Sequence, residues 1–234
     1  MKFRTPLIAA ALLAAGIGSS AHAALEGRDL DGNLATSEAY YDTDRGITWL
    51  ADANYAQTSG YDADGRMNWA DANTWAANLS FTDGINVYDN WRLPTTPNPD
   101  ATCSFQGDGY SLGFNCTGSE MGHLFSAELG GTAGQSILTS ADPDLANFTN
   151  IQASSYWSAT EDPFYPTDYA WLIEWHTGYQ STHNKSLVGF FAIAVSPGDV
   201  GIAAVPEPET WALLLAGLGL VGFAARRRGG AGMA

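Results

Sequence analysis

The sequence predicts an α+β domain with a mostly antiparallel sheet and two helices. Strand-like residues 40–41 and 47–50 flank a five-residue turn that ends at Gly46, which is typical of a β-hairpin. Large apolar side chains recur at every second position between residues 170 and 176, the period of a strand. Apolar residues recur at helical spacing in only two stretches, near residues 68–79 and 117–129. Strands therefore outnumber helices, and their short connections favour antiparallel pairing.

Both predicted helices begin at residues suited to capping. Asn68 can accept a hydrogen bond from a backbone N–H of the first turn, where Asp71 favours the helix dipole. Thr117 and Glu120 form a capping-box pattern, and apolar residues follow at three- and four-residue steps as far as Leu129. Two further strands are predicted, one at residues 156–158 and one at residues 189–195. The second is apolar on both faces and is therefore predicted to be a central strand.

The charge of the chain excludes nucleic acid as a partner. Five of the ten basic side chains and 23 of the 25 acidic ones lie between Ala24 and Ala204. Binding to phosphate requires Lys and Arg side chains that replace the released counterions. A surface this acidic repels nucleic acid and anionic lipid, whereas a divalent cation is a natural partner for it.

Residues 1–23 have the pattern of a secretory signal peptide. Lys2 and Arg4 are followed by an apolar run over residues 6–18 and by the cleavage pattern Ala21-His22-Ala23. The run is short for a permanent membrane anchor. We therefore expect signal peptidase to release a mature chain that starts near Ala24.

The other end of the chain predicts a second sorting segment. Residues 211–225 are uncharged, and Arg226, Arg227 and Arg228 follow them. A helix of fifteen residues is about 22 Å long, against a hydrocarbon layer of about 30 Å, so it spans a bilayer only with local thinning or snorkelling ends. The three arginines predict a cytoplasmic end, which leaves the folded body outside.

Residues 205–228 as a whole resemble the PEP-CTERM sorting signal. Pro206, Glu207 and Pro208 precede the apolar segment, and both prolines keep this stretch extended and open to a processing enzyme. The resemblance implies recognition and cleavage by an exosortase, transient anchoring in the inner membrane, and release to the cell surface or an extracellular matrix rich in exopolysaccharide.

Cys103 and Cys116 are the two cysteines of the chain, and both lie in a loop rich in Pro, Gly, Ser and Asp. In an oxidising compartment such a pair predicts a disulfide. Two free thiols are the alternative.

The body resembles the Lcl C-terminal domain family. The resemblance covers residues 40–200, preceded by a lead-in at residues 24–39. It implies a C-type-lectin-like fold and a role in carbohydrate binding or adhesion, although this acidic body disfavours sulfated glycans. It is carried by Gly46-Ile-Thr-Trp-Leu50, Asn68-Trp-Ala-Asp-Ala72, Asp89-Asn-Trp-Arg-Leu-Pro-Thr95, Ser119-Glu-Met121, Tyr156-Trp-Ser158 and Ala192-Ile-Ala-Val195.

Asp62 and Asp64 are candidate ligands for Ca²⁺. They stand in Asp62-Ala63-Asp64-Gly65, where alternate carboxylates on a tight turn can converge on one ion. Asp52, Asp71 or a backbone carbonyl could complete the coordination. An ordinary solvated Asp-Gly turn is the alternative, since the full EF-hand pattern is missing.

Four aromatic residues are candidates for stacking on sugar rings, because an aromatic face suits the apolar face of a pyranose. They are Trp157, Trp171, Trp175 and Tyr179. The competing interpretation places most of them in the core, with at most two exposed.

The sequence contains no pattern that predicts catalysis. Its histidines have no spacing typical of a zinc site. Glycoside hydrolysis requires a pair of carboxylates, but a chain with this many acidic residues contains such pairs whatever its function. We expect a non-enzymatic module that binds polysaccharide. The alternatives are a structural matrix protein without a discrete ligand site and a glycan hydrolase.

Overall fold

A computed structural model describes residues 25–187 and 189–203. The predicted signal peptide at residues 1–23 and the predicted sorting signal at residues 205–228, with its helix at 211–225, lie outside the described residues. Within these ranges the domain is α+β with antiparallel sheets, as the sequence predicts. Its strands are β1 (Leu25–Asp29), β2 (Ala39–Asp42), β3 (Ile47–Leu50), β4 (Phe81–Thr82), β5 (Val87–Tyr88), β6 (Phe105–Gly107), β7 (Tyr110–Leu112), β8 (Ser155–Glu161), β9 (Tyr169–Glu174), β10 (Tyr179–Asn184), β11 (Val195–Pro197) and β12 (Ile202–Ala203).

The largest sheet has five strands in the order β11-β3-β2-β1-β12. The predicted hairpin is confirmed as β2 and β3, with Asp42 opposite Ile47 and Gly46 at a φ of +64° in the turn. β1 lies between β2 and β12, with Arg28 opposite Ala203. The stretch at residues 24–39, treated as a lead-in from the sequence, therefore contributes a strand to the sheet and belongs to the domain from Leu25 onward.

A second sheet has three strands in the order β10-β9-β8. β9 and β10 form a regular hairpin from Glu174 opposite Tyr179 to Tyr169 opposite Asn184. The register between β8 and β9 shifts after Trp157, so that Glu161 lies opposite Ala170. The pairing nevertheless continues past the end of β8, where the N–H of Asp162 donates to the carbonyl of Tyr169 at 2.9 Å. Two small hairpins, β4-β5 and β6-β7, complete the described strands.

The helices are α1 (Tyr55–Thr58), α2 (Trp69–Ala77) and α3 (Glu120–His123). The predicted cap of α2 is confirmed, since the side chain of Asn68 accepts from the N–H of Asp71 at 2.9 Å. The capping box predicted at Thr117 is wrong. Ser119 caps α3 instead, by accepting from the N–H of Gly122 at 3.0 Å. α3 continues as a π-helical turn, Leu124–Glu128, and two 3₁₀ turns follow at Ile137–Thr139 and Pro143–Asn147.

The central strand predicted over residues 189–195 is wrong for most of its length. Regular pairing begins only at Val195, while the preceding residues make single bridges to several elements. Phe191 exchanges hydrogen bonds with Ser155 and Trp157, and the carbonyl of Ala194 accepts from Leu50. The segment therefore joins the two larger sheets without pairing along either, and its burial on both sides explains its apolar sequence.

Candidate functional site

Three of the four aromatic residues predicted to bind a ligand are buried in the core. The side chains of Trp157, Trp171 and Trp175 each have 0% exposure. The indole of Trp157 donates to the carbonyl of Met67 at 3.0 Å. The prediction is wrong for these tryptophans, because a sugar ring cannot reach an enclosed indole face. Tyr179 is half-buried and packs edge-on against Phe114.

Asp62 and Asp64, the candidate Ca²⁺ ligands, lie in an Asp-Gly turn that is stabilised by its own hydrogen bonds. One oxygen of Asp62 accepts from the N–H groups of Asp64 and Gly65, at 3.0 and 2.8 Å. These hydrogen bonds, the one from Asp64 first, hold the pKa of Asp62 below its ordinary value, although burial acts in the opposite direction. Asp64 in turn accepts from the N–H of Arg66. Both carboxylates thus shape the turn.

Exposed aromatic side chains instead surround a shallow concavity at one end of the three-stranded sheet. Tyr110, Tyr165 and Tyr169, called the tyrosine patch below, line a cavity of about 290 Å³ together with Asp162 and Thr182. Tyr165 is 62% exposed and Tyr169 is 38% exposed, and their rings are 6.1 Å apart. The two exposed rings combine apolar faces with hydroxyl groups, a surface suited to a ligand that is apolar on one side and polar at its edges.

A buried carboxylate organises the tyrosine patch. Asp162 is 1% exposed and accepts from the N–H groups of Phe164 and Tyr165, at 2.8 and 2.9 Å. The hydroxyl of Tyr110 donates to both of its oxygens at 3.0 Å. Burial raises the pKa of Asp162, but the hydrogen bonds outweigh it, and the net pKa lies below the ordinary value. Burial and the carboxylate together raise the pKa of Tyr110 to about 12, so its hydroxyl remains a donor.

The disulfide loop supports the same surface. Cys103 and Cys116 are bonded, as the sequence predicts, and the β6-β7 hairpin lies between them. At its turn, the carbonyl of Gly109 accepts from the side chain of Asn98 at 2.8 Å. Gly109 has a φ of +79°, which favours glycine, and a Cβ there would lie only 2.4 Å from the ring of Phe164.

The segment Trp91-Arg92-Leu93 has a structural role. The guanidinium of Arg92 forms a two-pronged ion pair with Glu120, at 2.8 and 2.7 Å, and also donates to the carbonyl of Leu93. Glu120 additionally accepts from the N–H of Thr95 at 2.6 Å. This pair ties the loop after β5 to the start of α3 and leaves Arg92 committed to the fold.

A second and larger cavity, of about 440 Å³, lies beside the five-stranded sheet. We call it the acidic cavity, because its lining includes three carboxylates, those of Asp31, Glu38 and Asp52. Its lining also includes the three aromatic rings of Tyr40, Tyr55 and Phe81. Both oxygens of Asp52 accept hydrogen bonds, one from the N–H of Asn54 and one from the side chain of Asn150. Asp52 therefore stabilises the local backbone and the neighbouring loop.

Two clusters in the described part of the chain bring oxygen or nitrogen ligands within 4.8 Å of one another. One consists of Asp29, Asp31 and Glu38, at the acidic cavity. The other consists of Asp42, His123 and Glu128 and is largely buried. In the second cluster His123 lies 2.9 Å from one oxygen of Glu128, and Asp42 accepts two backbone hydrogen bonds. A third group contains the cysteines, whose sulfur atoms are bonded to each other.

Apart from Asp52, the residues that line these two cavities were not predicted from the sequence, although each cavity carried a signal. The loop from Phe164 to Tyr169 contains three aromatic residues and a proline between two strands, where side chains are ordinarily exposed. The sequence Asp29-Leu30-Asp31-Gly32 repeats the Asp-x-Asp-Gly pattern that drew attention to Asp62. The local pattern by itself does not distinguish the two copies.

No helix among residues 25–187 and 189–203 is long and apolar enough to cross a membrane. Residues 204–228 match the PEP-CTERM protein-sorting motif. No curated protein and no solved structure was found to match the chain, and nothing in these comparisons supports the resemblance of residues 40–200 to the Lcl C-terminal domain family. PEP-CTERM signals are recognised by exosortase, so the chain carries a C-terminal membrane-anchoring signal for export.

Proposed function

We propose that this protein is exported and binds extracellular polysaccharide through the tyrosine patch, without catalysing a reaction. The observation that carries the proposal is the exposure of Tyr165 and Tyr169 beside a concavity of about 290 Å³. Folded proteins rarely hold large aromatic rings in solvent around a cavity without a use for them. The cavity is close to the lower end of the range for small-ligand sites, about 300 Å³, which suits one or two sugar rings.

The chemistry of the patch supports a neutral glycan as the ligand. The tyrosine rings offer faces for stacking on a pyranose, and their hydroxyl groups can bind the ring's polar edge. Asp162 is fully engaged by Tyr110, Phe164 and Tyr165 and holds the rings in position. The chain carries a net charge of −15, which disfavours sulfated or strongly anionic polymers.

The sorting signal supports the cellular setting of this proposal. Exosortase processing near Pro206, Glu207 and Pro208 would free the domain from its transient inner-membrane anchor. The domain would then act at the cell surface or in the extracellular matrix. A C-type-lectin-like arrangement of residues 40–200 belongs to the same proposal, and an experimental structure would test it.

Glycan binding by the exported protein tests the proposal directly. The combined variant Tyr165→Ala and Tyr169→Ala should lose at least about tenfold in affinity on a glycan array, since each stacked ring contributes about 1 kcal/mol. The matched control is Tyr61→Ala, because Tyr61 is 49% exposed and lies outside the patch. The control should bind like the unaltered protein.

Two results would favour the alternative functions. Absence of binding by the unaltered protein across neutral and acidic glycans would favour a structural matrix protein. Release of new reducing ends from a bound polysaccharide would favour a glycan hydrolase, with the carboxylates of the acidic cavity as the first residues to substitute.

A further inference from the structure

The chain contains two copies of the same Asp-x-Asp-Gly turn with matching hydrogen bonds. In the first copy, Asp29 accepts from the N–H groups of Asp31 and Gly32 at 2.9 and 2.8 Å. In the second copy, Asp62 accepts from the two equivalent N–H groups at 3.0 and 2.8 Å. The second aspartate of each copy, Asp31 or Asp64, accepts from the N–H two residues ahead. The backbone of the two turns is thus organised in the same way.

The surroundings of the first turn are different. Asp29 has 0% exposure, and its Oδ2 has no hydrogen-bond partner within residues 25–187 and 189–203. Glu38 reaches back to this turn and accepts from the N–H of Leu30 at 3.1 Å. One ligand atom from each of Asp29, Asp31 and Glu38 lies within 4.8 Å of the other two. The second turn is in none of the ligand clusters found among the described residues.

Among the described residues, no cationic side chain pairs with any of these three carboxylates. The nearest arginine in sequence, Arg28, pairs with Glu26 and Asp199 instead. A buried carboxylate that lacks both a cation and a complete set of hydrogen bonds is unfavourable. A bound cation would supply what this cluster lacks.

We propose that Asp29, Asp31 and Glu38 form a binding site for a divalent cation of the calcium type at the edge of the acidic cavity. All three ligands are hard carboxylate oxygens, which Ca²⁺ prefers. The cluster has no nitrogen or sulfur ligand of the kind typical of zinc sites. The cluster at Asp42 and Glu128 is less suited to Ca²⁺, because it contains a histidine that already lies beside Glu128. The site is separate from the tyrosine patch, so the proposal does not depend on glycan binding there.

Asp31 and Glu38 line the acidic cavity as well as the cluster. Ca²⁺ takes six to eight oxygen ligands, more than three side chains provide. Water or an oxygen-bearing ligand in the cavity would supply the remainder. The ion would also reduce the negative charge at that wall.

Calcium titration of the exported protein, after treatment with a chelator, tests the site. CaCl₂ is the only ligand added. Its binding is measured by isothermal titration calorimetry and by the change in the midpoint of thermal unfolding. The key comparison is Asp31→Asn with Asp64→Asn, because each substitution keeps the side-chain oxygen that accepts from a backbone N–H in its turn, and each aspartate is exposed. Asp31→Asn should weaken Ca²⁺ binding about tenfold or more, because affinity depends on the number of charged ligands.

The second variant, Glu38→Gln, keeps the acceptor for Leu30 while it removes the charge, and it should weaken binding to a similar degree. Asp64→Asn should leave both the affinity and the calcium-dependent rise of the thermal midpoint unchanged. Three results overturn the proposal: no binding at millimolar CaCl₂, equal weakening by Asp31→Asn and Asp64→Asn, or full affinity in both Asp31→Asn and Glu38→Gln. Each of these three results can be interpreted whether or not the protein binds a glycan.

Discussion

Removal of the Asp162 carboxylate should loosen the tyrosine patch and lower the stability of the whole domain. The substitution Asp162→Ala leaves three donors without their acceptor, namely the hydroxyl of Tyr110 and the N–H groups of Phe164 and Tyr165. Tyr165 would then lose the anchor that fixes its backbone. We therefore expect both a lower free energy of unfolding and weaker glycan binding.

The size of the effect follows from these hydrogen bonds. A hydrogen bond to a charged group contributes about 1.5–3 kcal/mol when it is well buried. Tyr110 is only half-buried, so Tyr110→Phe should cost about 1–2 kcal/mol. Asp162→Ala removes all three bonds, but the freed donors near the surface regain part of their hydration, so we expect about 3–4 kcal/mol.

Urea unfolding followed by tryptophan fluorescence provides the measurement. Asp162→Ala and Tyr110→Phe should not be additive, because the hydroxyl of Tyr110 loses its partner once Asp162 is gone. The double variant should cost about as much as Asp162→Ala alone, a coupling of about 1–2 kcal/mol. Additive costs would refute the network, as would a loss below about 1 kcal/mol for Asp162→Ala.

The pH dependence of stability supplies an independent check. The folded-state pKa of Asp162 lies below its ordinary value, so the unfolded chain takes up a proton at this group more readily. Its contribution is therefore present above the unfolded pKa of about 3.9 and is lost as the pH falls further. Asp162→Ala should flatten the acid limb of the stability profile relative to the unaltered protein. An unchanged acid limb would contradict the lowered pKa.

The remaining predictions concern the disulfide and the sorting tail. Replacement of Cys103 and Cys116 by serine opens a loop of 14 residues and should lower the free energy of unfolding by about 3 kcal/mol. Alkylation of the unaltered exported protein should add two adducts only after reduction. Adducts formed without reductant would disprove the disulfide in solution. The mature protein should start near Ala24 and end near the Pro-Glu-Pro segment. Substitution of residues 226–228 by neutral residues should misroute the chain. Deletion of residues 206–209 should instead leave the chain uncut in the membrane. Detection of intact residues 211–228 on the mature protein by mass spectrometry would rule out transient anchoring.

Local signals predicted much of the fold. The hairpin turn before Ile47 needs only a glycine at positive φ and an aspartate that accepts neighbouring N–H groups. The cap at Asn68 likewise involves residues three apart in sequence. The error at Thr117 shows the limit of this reasoning. Ser119 is an equally good local cap, and the Glu120 carboxylate was already engaged by the distant Arg92.

The sequence by itself determined the class of the domain, the pairing of Cys103 with Cys116, and the sorting motif at residues 204–228. Each of these depends on neighbouring residues, on composition, or on the presence of just two cysteines. Tertiary structure decided which aromatic rings reach solvent: Trp171 and Tyr169 are two residues apart on β9, yet one is fully buried and the other is exposed. It also decided that Asp29, but not Asp62, lies close to a glutamate of the neighbouring loop, Glu38. Burial and the proximity of side chains depend on how strands pair and sheets pack, and two turns with the same local sequence therefore acquire different chemistry.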